Sequence, residues 1–123
     1  MAKANWKKFP LADKAFVYAG PALKKHWDRL HRGDCEPFPA DEAVQEAWRL
    51  YHQGEFQKAC EAGLAAGPDG YNAANKAMMI HATYLEDNDK RKLELFQAIV
   101  SRCDELQRVQ PKNVNGHYFQ AYA

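Results

Sequence analysis

Long hydrophobic runs are missing from this chain. Nowhere in its 123 residues do apolar side chains approach the eighteen or so that cross a bilayer. The opening MAKANWKKFPLADK has no apolar core of the kind a secretory signal needs, so the expected location is the cytoplasm. Cysteine is scarce as well. Cys35, Cys60 and Cys103 form no CxxC pair and are odd in number, which argues against a disulfide framework and fits a reducing compartment. An excess of one charge is also lacking. Seventeen Lys/Arg against sixteen Asp/Glu leave a net charge of +1, so the molecule as a whole has no strong pull on nucleic acid or membrane.

Catalytic signatures are absent too. No GxGxxG, GxxxxGK[ST] or GxSxG occurs, which removes sequence support for nucleotide and hydrolase chemistry. The five histidines form no HxxxH or HExxH pair. Asp28 and His31 stand i, i+3 and could share a metal, but two ligands do not make a site. Glu86, Asp87 and Asp89 lack the ordered ligands of a calcium loop. The expectation is a protein that is not an enzyme and needs no cofactor or metal. The competing possibility is a metal-dependent enzyme built at His26, His31 or His81.

What the chain does contain is helical periodicity. Ala43, Val44, Ala47, Trp48, Leu50 and Tyr51 recur with the spacing of one helix face. Gly54 interrupts them, and Phe56, Ala59, Cys60, Gly63 and Leu64 begin a second stripe. So short a turn between two amphipathic helices predicts an antiparallel hairpin. Before it, Leu23, Trp27 and Leu30 line one face of a helix that starts near Asp13 or after Gly20 and ends at Gly33. Residues 34–40 form a loop punctuated by Pro37 and Pro39, with Asp41 as the following N-cap. A fourth helix is predicted from about Asn72 to Glu86, with Ala74, Ala77, Met78, His81, Tyr84 and Leu85 on its apolar side. A fifth runs from about Lys90 to Val109, capped by Asp89 and carrying Leu93, Phe96, Ile99, Val100, Cys103 and Leu106. A last helix begins near Val114. No alternating β pattern and no low-complexity tract occurs, so the fold class is all-α with antiparallel neighbours.

The turn Gly54-Glu55-Phe56-x-x-Ala59 resembles that of a tetratricopeptide repeat, a helix–turn–helix unit of about 34 residues. Ala47 and Leu50 match the first helix of that unit. Ala77, Ile80 and Tyr84 match the same helix of a second unit, and Pro111-Lys112-Asn113 its closing link. His117, Ala121 and Tyr122 look like the opening of a third. His81 falls where the family carries Gly or Ala, which would crowd the helix pair. The resemblance divides the chain into an arm and helix over residues 1–40 and repeats over residues 41–123. The repeats comprise hairpins at 41–68 and 72–111 and the start of another at 114–123, as in the N-terminal portion of a longer array.

The resemblance implies a right-handed superhelix acting as a scaffold that holds a protein or peptide segment. Its concave groove would be lined by Val44, Trp48, Tyr51, Met78, Ala82, Leu85, Tyr118 and Tyr122. That lining is apolar and aromatic, suited to an amphipathic helix or an extended apolar segment. The Lys/Asn pattern with which some members clamp carboxylates is absent from those slots. The groove is either open to a partner or filled by the chain's own Phe16, Leu23, Trp27 and Leu30. The apolar GHYFQAYA end could also pair two copies as a homodimer. A different class of function rests on charge. Residues 1–33 carry a net +6 and the remainder −5, and Lys7, Lys8, Lys24, Lys25, Arg29 and Arg32 form a basic patch that could meet nucleic acid or an acidic partner.

Overall fold

The computed structural model describes residues 6–11 and 14–123; the candidate helix start at Asp13 and the arm before Trp6 lie outside them. The fold is all-α, with no strand among the described residues. Among the described residues six α-helices occur in order: α1 (Ala22–Leu30), α2 (Glu42–His52), α3 (Phe56–Ala65), α4 (Tyr71–Ile80), α5 (Asp89–Val109) and α6 (Val114–Tyr122). From α2 onward each helix packs on the next. In addition α2 touches α4, and α4 touches α6, so these three share one layer while α3 and α5 form the other.

Local chemistry sets the ends of these helices. The Asp41 side chain accepts from the Ala43 amide and opens α2. Gly54 turns the chain with a φ of +88°, and a Cβ there would run into the Phe9 ring, so the glycine serves both the turn and the seat of the arm. Between α3 and α4 the backbones approach closely. A Cβ on Gly63 would lie 2.6 Å from the Gly70 carbonyl oxygen. The cap of α5 is Asn88, which accepts from the Arg91 amide at 3.0 Å, rather than the expected Asp89. Asn88 holds extended backbone angles, whereas Asp89 already lies in the first helical turn, where its carboxylate meets the positive end of the helix.

The predicted fourth helix is two pieces. Beyond Ile80 the α-helix widens into a π turn over His81–Leu85, closed by the Glu86 amide donating to the His81 carbonyl oxygen at 2.9 Å. The extra residue shifts the side-chain phase within that turn. Tyr84, expected on the apolar side, is 73% exposed. On the separate helix α5, Leu93 is exposed, and Leu95 packs inward beside the expected Phe96.

Two clusters form the core. Phe56, Ala59, Cys60, Ala74, Ala77, Met78, Met79, Ile99, Cys103 and Phe119 join α3, α4, α5 and α6. Leu23, Trp27, Val44, Ala47, Trp48 and Ala73 join α1 to α2 and α4. Trp27 meets Trp48 edge-on at 5.7 Å between ring centroids. Thus α1 packs through Leu23 and Trp27.

Candidate binding site

After α1 the chain turns at Gly33 and runs as a strap, residues 34–39, to the cap of α2. The strap has no regular structure of its own, and Cys35 takes a positive φ of 52°. Side chains from the helices hold it. Trp27 Nε1 donates to the Glu36 carbonyl oxygen at 2.7 Å, and Gln45 Nε2 donates to the Pro39 carbonyl oxygen at 2.8 Å. The Glu36 carboxylate receives Asn72 Nδ2 from α4 at 2.9 and 3.1 Å and Asn115 Nδ2 from α6 at 2.6 Å. Both asparagines are buried, at 4% and 7% exposure. One turn further along α4, Lys76 Nζ meets Asp34 at 2.6 Å. The strap therefore lies over α4 with two carboxylates seated on residues spaced i, i+4 along that helix.

A histidine pair sits at the strap's first anchor. His31 Nδ1 is 3.0 Å from Asp34 Oδ1, and His31 Nε2 is 2.9 Å from His52 Nε2. A carboxylate accepts only, so Nδ1 of His31 donates. Of the facing His31 Nε2 and His52 Nε2, one carries the hydrogen and the other accepts it. Burial, with the charges of His31 and Lys76, pushes the His52 pKa down to about 3. Burial raises the Asp34 pKa, but hydrogen bonds from His31, Lys76 and the Glu36 amide more than offset it and leave the carboxyl well below its ordinary value. His31 thus pairs with Asp34 rather than with Asp28, the partner its helical spacing suggested, because the chain folds back after α1.

Two clefts flank the strap. One, of about 600 Å³, opens between Asp34–Pro37 and the α5–α6 turn at Gln110–Asn115. The other, of about 320 Å³, lies between Glu36–Asp41, α2 and the start of α4, with Asp69, Gln110 and Asn113 on its far side. A hydrogen-bonded chain runs along this second cleft. Gln110 Nε2 donates to Asp69 at 2.6 Å, Asn113 Nδ2 to Gln110 Oε1 at 3.0 Å, and Asn72 Nδ2 to Asn113 Oδ1 at 2.9 Å. Asn72 Oδ1, which is buried, finds no hydrogen-bond partner among the described residues.

The residues proposed for the groove divide between core and surface. Val44 and Trp48 are buried against α1, with Trp48 only 1% exposed. Met78 and Ala82 are buried, while Tyr51 and Leu85 pack partly covered against the main cluster. Tyr118 and Tyr122 are exposed, at 54% and 45%, beside Phe96, and Tyr122 shares a hydrogen bond with Thr83 at 3.1 Å.

The basic residues fall into two places. Lys7 pairs with Asp87, and Lys7 and Lys8 border a cleft of about 710 Å³ between the arm and the α2–α3 turn. Lys24, Lys25, Arg29 and Arg32 lie exposed on α1 and its end, with Lys24 over the Phe38 ring at 5.8 Å.

The remaining histidines lie apart from the strap. His81 is fully buried, stacked on Trp6 at 4.6 Å, with Nε2 3.4 Å from Glu86 Oε2. Burial lowers the His81 pKa, with Glu86 opposing. His26 lies edge-on to Tyr18. No group of three or more His, Cys, Asp or Glu is placed to hold a metal ion among the described residues, and none of their helices is long and apolar enough to cross a membrane.

Sequence reasoning missed Glu36, Asn72, Asn113 and Asn115. The one available signal was the buried phase of Asn72, which is set one residue before the alanines Ala73 and Ala74 on a helix covered on nearly every side. Comparison with protein-family models, curated proteins and solved structures finds no match for this chain.

Proposed function

We propose that this chain is a tetratricopeptide-like scaffold that holds a segment of another protein on the face made by α2, α4 and α6. The observation that carries this reading is the strap. An extended, acidic, proline-containing piece of chain already rests on that face, held by side chains from α1, α2, α4 and α6. The strap takes up the donors of that face, so a partner's segment lies in the clefts that flank it and along the Tyr118–Tyr122 end. Two further features agree with the reading: the alternating layers of helices and the exposed tyrosines at the end of the same face. The work done is burial with a few polar contacts, not catalysis. A second copy of the chain is the other partner that the Tyr118–Tyr122 surface fits. Three free cysteines, two of them buried, suit a cytoplasmic protein.

Photo-crosslinking tests the reading. A benzophenone side chain placed at Val114 or Tyr118 should yield a discrete protein adduct in cells, while the same group at Glu94 on α5 should not. Equal labelling at all three positions, or none at any, would overturn it. Adduct formation that vanishes with added salt and tracks Lys25 and Arg29 instead would favour binding through the basic patch.

A further inference from the structure

We propose that the arm at Trp6–Phe9 is an autoinhibitory contact. It occupies a seat that receives a partner's segment of the same chemistry: an aromatic residue, a basic residue, and a second aromatic three positions after the first. The seat is built at the α2–α3 turn, on α3 and on the π turn, apart from the strap, so this proposal does not rest on the scaffold reading.

Two rings anchor the arm. Trp6 stacks on the buried His81 with ring centroids 4.6 Å apart. Phe9 meets Phe56 edge-on at 5.8 Å and lies against Gly54, where a Cβ would strike its ring. Both rings pack on the cluster that joins α3, α4, α5 and α6. Between them the backbone has no regular structure, and Lys7 and Lys8 are exposed. Recognition by two ring anchors works through side chains in pockets, so it needs no covalent link to the rest of the chain.

The arm's other holds are slight. Among the described residues, the Trp6 amide donates to Gln57 Oε1 at 3.0 Å, and Lys7 pairs with Asp87. That ion pair is exposed on both sides, at 51% and 83%, and contributes little. A cleft of about 710 Å³ remains between the arm and the α2–α3 turn, so the arm leaves part of its seat unfilled. A segment with few buried contacts and solvated polar holds is among the first to open. Charge gives the seat its preference. Glu55 and Glu61 border the cleft with Lys58, and Asp87 already receives Lys7, which favours a basic residue between the two rings.

Tethering makes the arm a competitor that a partner must displace. A short tether holds it at an effective concentration on the order of millimolar, and the partner's apparent affinity falls with the fraction of chains whose seat is empty. Loosening the arm should therefore tighten binding in trans.

The test is an NMR titration of the full chain, following the Gly54 amide and the Gln57 side-chain amide. The probes are Ac-WKKFPL-NH2, which repeats residues 6–11, the anchorless Ac-AKKAPL-NH2 and the charge-reversed Ac-WEEFPL-NH2. The first should bind Trp6→Ala/Phe9→Ala about tenfold or more tightly than it binds the unaltered chain, because the seat has been vacated. The anchorless peptide should give no saturable shift, and the charge-reversed one should bind more weakly than the first. Should the double variant fail to fold by far-UV circular dichroism, Lys7→Glu carries the test. It sets a carboxylate beside Asp87 at an exposed position, leaves the seat intact and should also raise the affinity for Ac-WKKFPL-NH2. Equal affinity for loosened and unaltered chains, or equal binding of the anchorless peptide, would overturn the proposal. Panning a displayed random heptapeptide library on the loosened chain should enrich the aromatic–basic–x–aromatic pattern, and enrichment of an unrelated pattern would overturn the stated partner chemistry. A concentration-dependent dimer of the unaltered chain with shifts at Gly54 would assign the seat to the arm of a second copy and overturn the partner assignment. Crosslinks at Val114 without peptide binding here defeat only this proposal, and peptide binding without those crosslinks defeats only the scaffold.

Discussion

His52 ends α2 on a polar stretch of sequence, yet the fold holds it neutral. Its ring is surrounded by His31, Tyr18, Trp48 and Tyr51, and the charges that reach it are Asp34, Lys76 and Arg29. Burial leads the shift to about 3. A histidine titrates near 6.5 in the unfolded chain, so below that pH the unfolded state binds a proton that the native state refuses. Stability must therefore fall as pH drops from about 6.5 towards 3, by up to about 1.4 kcal/mol per pH unit for each such histidine. The lowered His81 acts in the same direction. Asp34 and Glu86, both held below their ordinary values, add their own loss only below about pH 4.5, where the unfolded carboxyls protonate. Urea midpoints at pH 7, 6 and 5 check this. His52→Gln should flatten the decline, and an unchanged slope would show that His52 does not titrate as its surroundings require. In the sequence His52 was only a polar residue after Tyr51. The ring that makes it a proton-linked group arrives from 21 residues upstream.

At the scale of helices, ends were more legible than phase. The Asp41 cap, the Gly54 turn, the Pro111–Asn113 break and the start of α6 could be read from local chemistry, because caps and turns depend on residues two or three apart. The cap of α5 was read one residue late. Asn88→Ala should cost about 1 kcal/mol in denaturant unfolding, the usual value of a lost N-cap, and Asp89→Ala only a few tenths. The reverse order would place the cap at Asp89 after all. The π turn at His81 was not legible. A helix reads as 3.6-residue periodicity, and one extra residue appears in sequence only as apolar positions that end outside, as Tyr84 does at 73% exposure. The crowding expected from His81 in a slot for Gly or Ala falls where the backbone widens.

For the whole molecule, the layered order of helices makes stability a matter of neighbours. α3 and α4 are each packed between neighbouring helices on two sides, whereas α6 packs on α5 and α4 and leaves Tyr118 and Tyr122 in solvent. Native-state hydrogen exchange should therefore show the greatest protection in α3 and α4 and the least in α6. Uniform protection through α6 at high dilution would mean that the six helices unfold as one unit. Loss of that uniformity on dilution would mean that a second copy covers the end.

By itself the sequence determined the all-α class, the α2–α3 hairpin, most helix ends and the burial of Cys60 and Cys103. Those properties come from apolar periodicity and short-range capping, which are written within a few residues of where they act. Only the tertiary structure decided that α1 covers Val44 and Trp48, that the strap lies over α4, and that Glu36 meets Asn72 and Asn115. These partners stand 36 and 79 positions apart. A polar side chain carries no periodic mark of its partner. An asparagine bound to a buried carboxylate and one in water look alike until the helices on either side have packed.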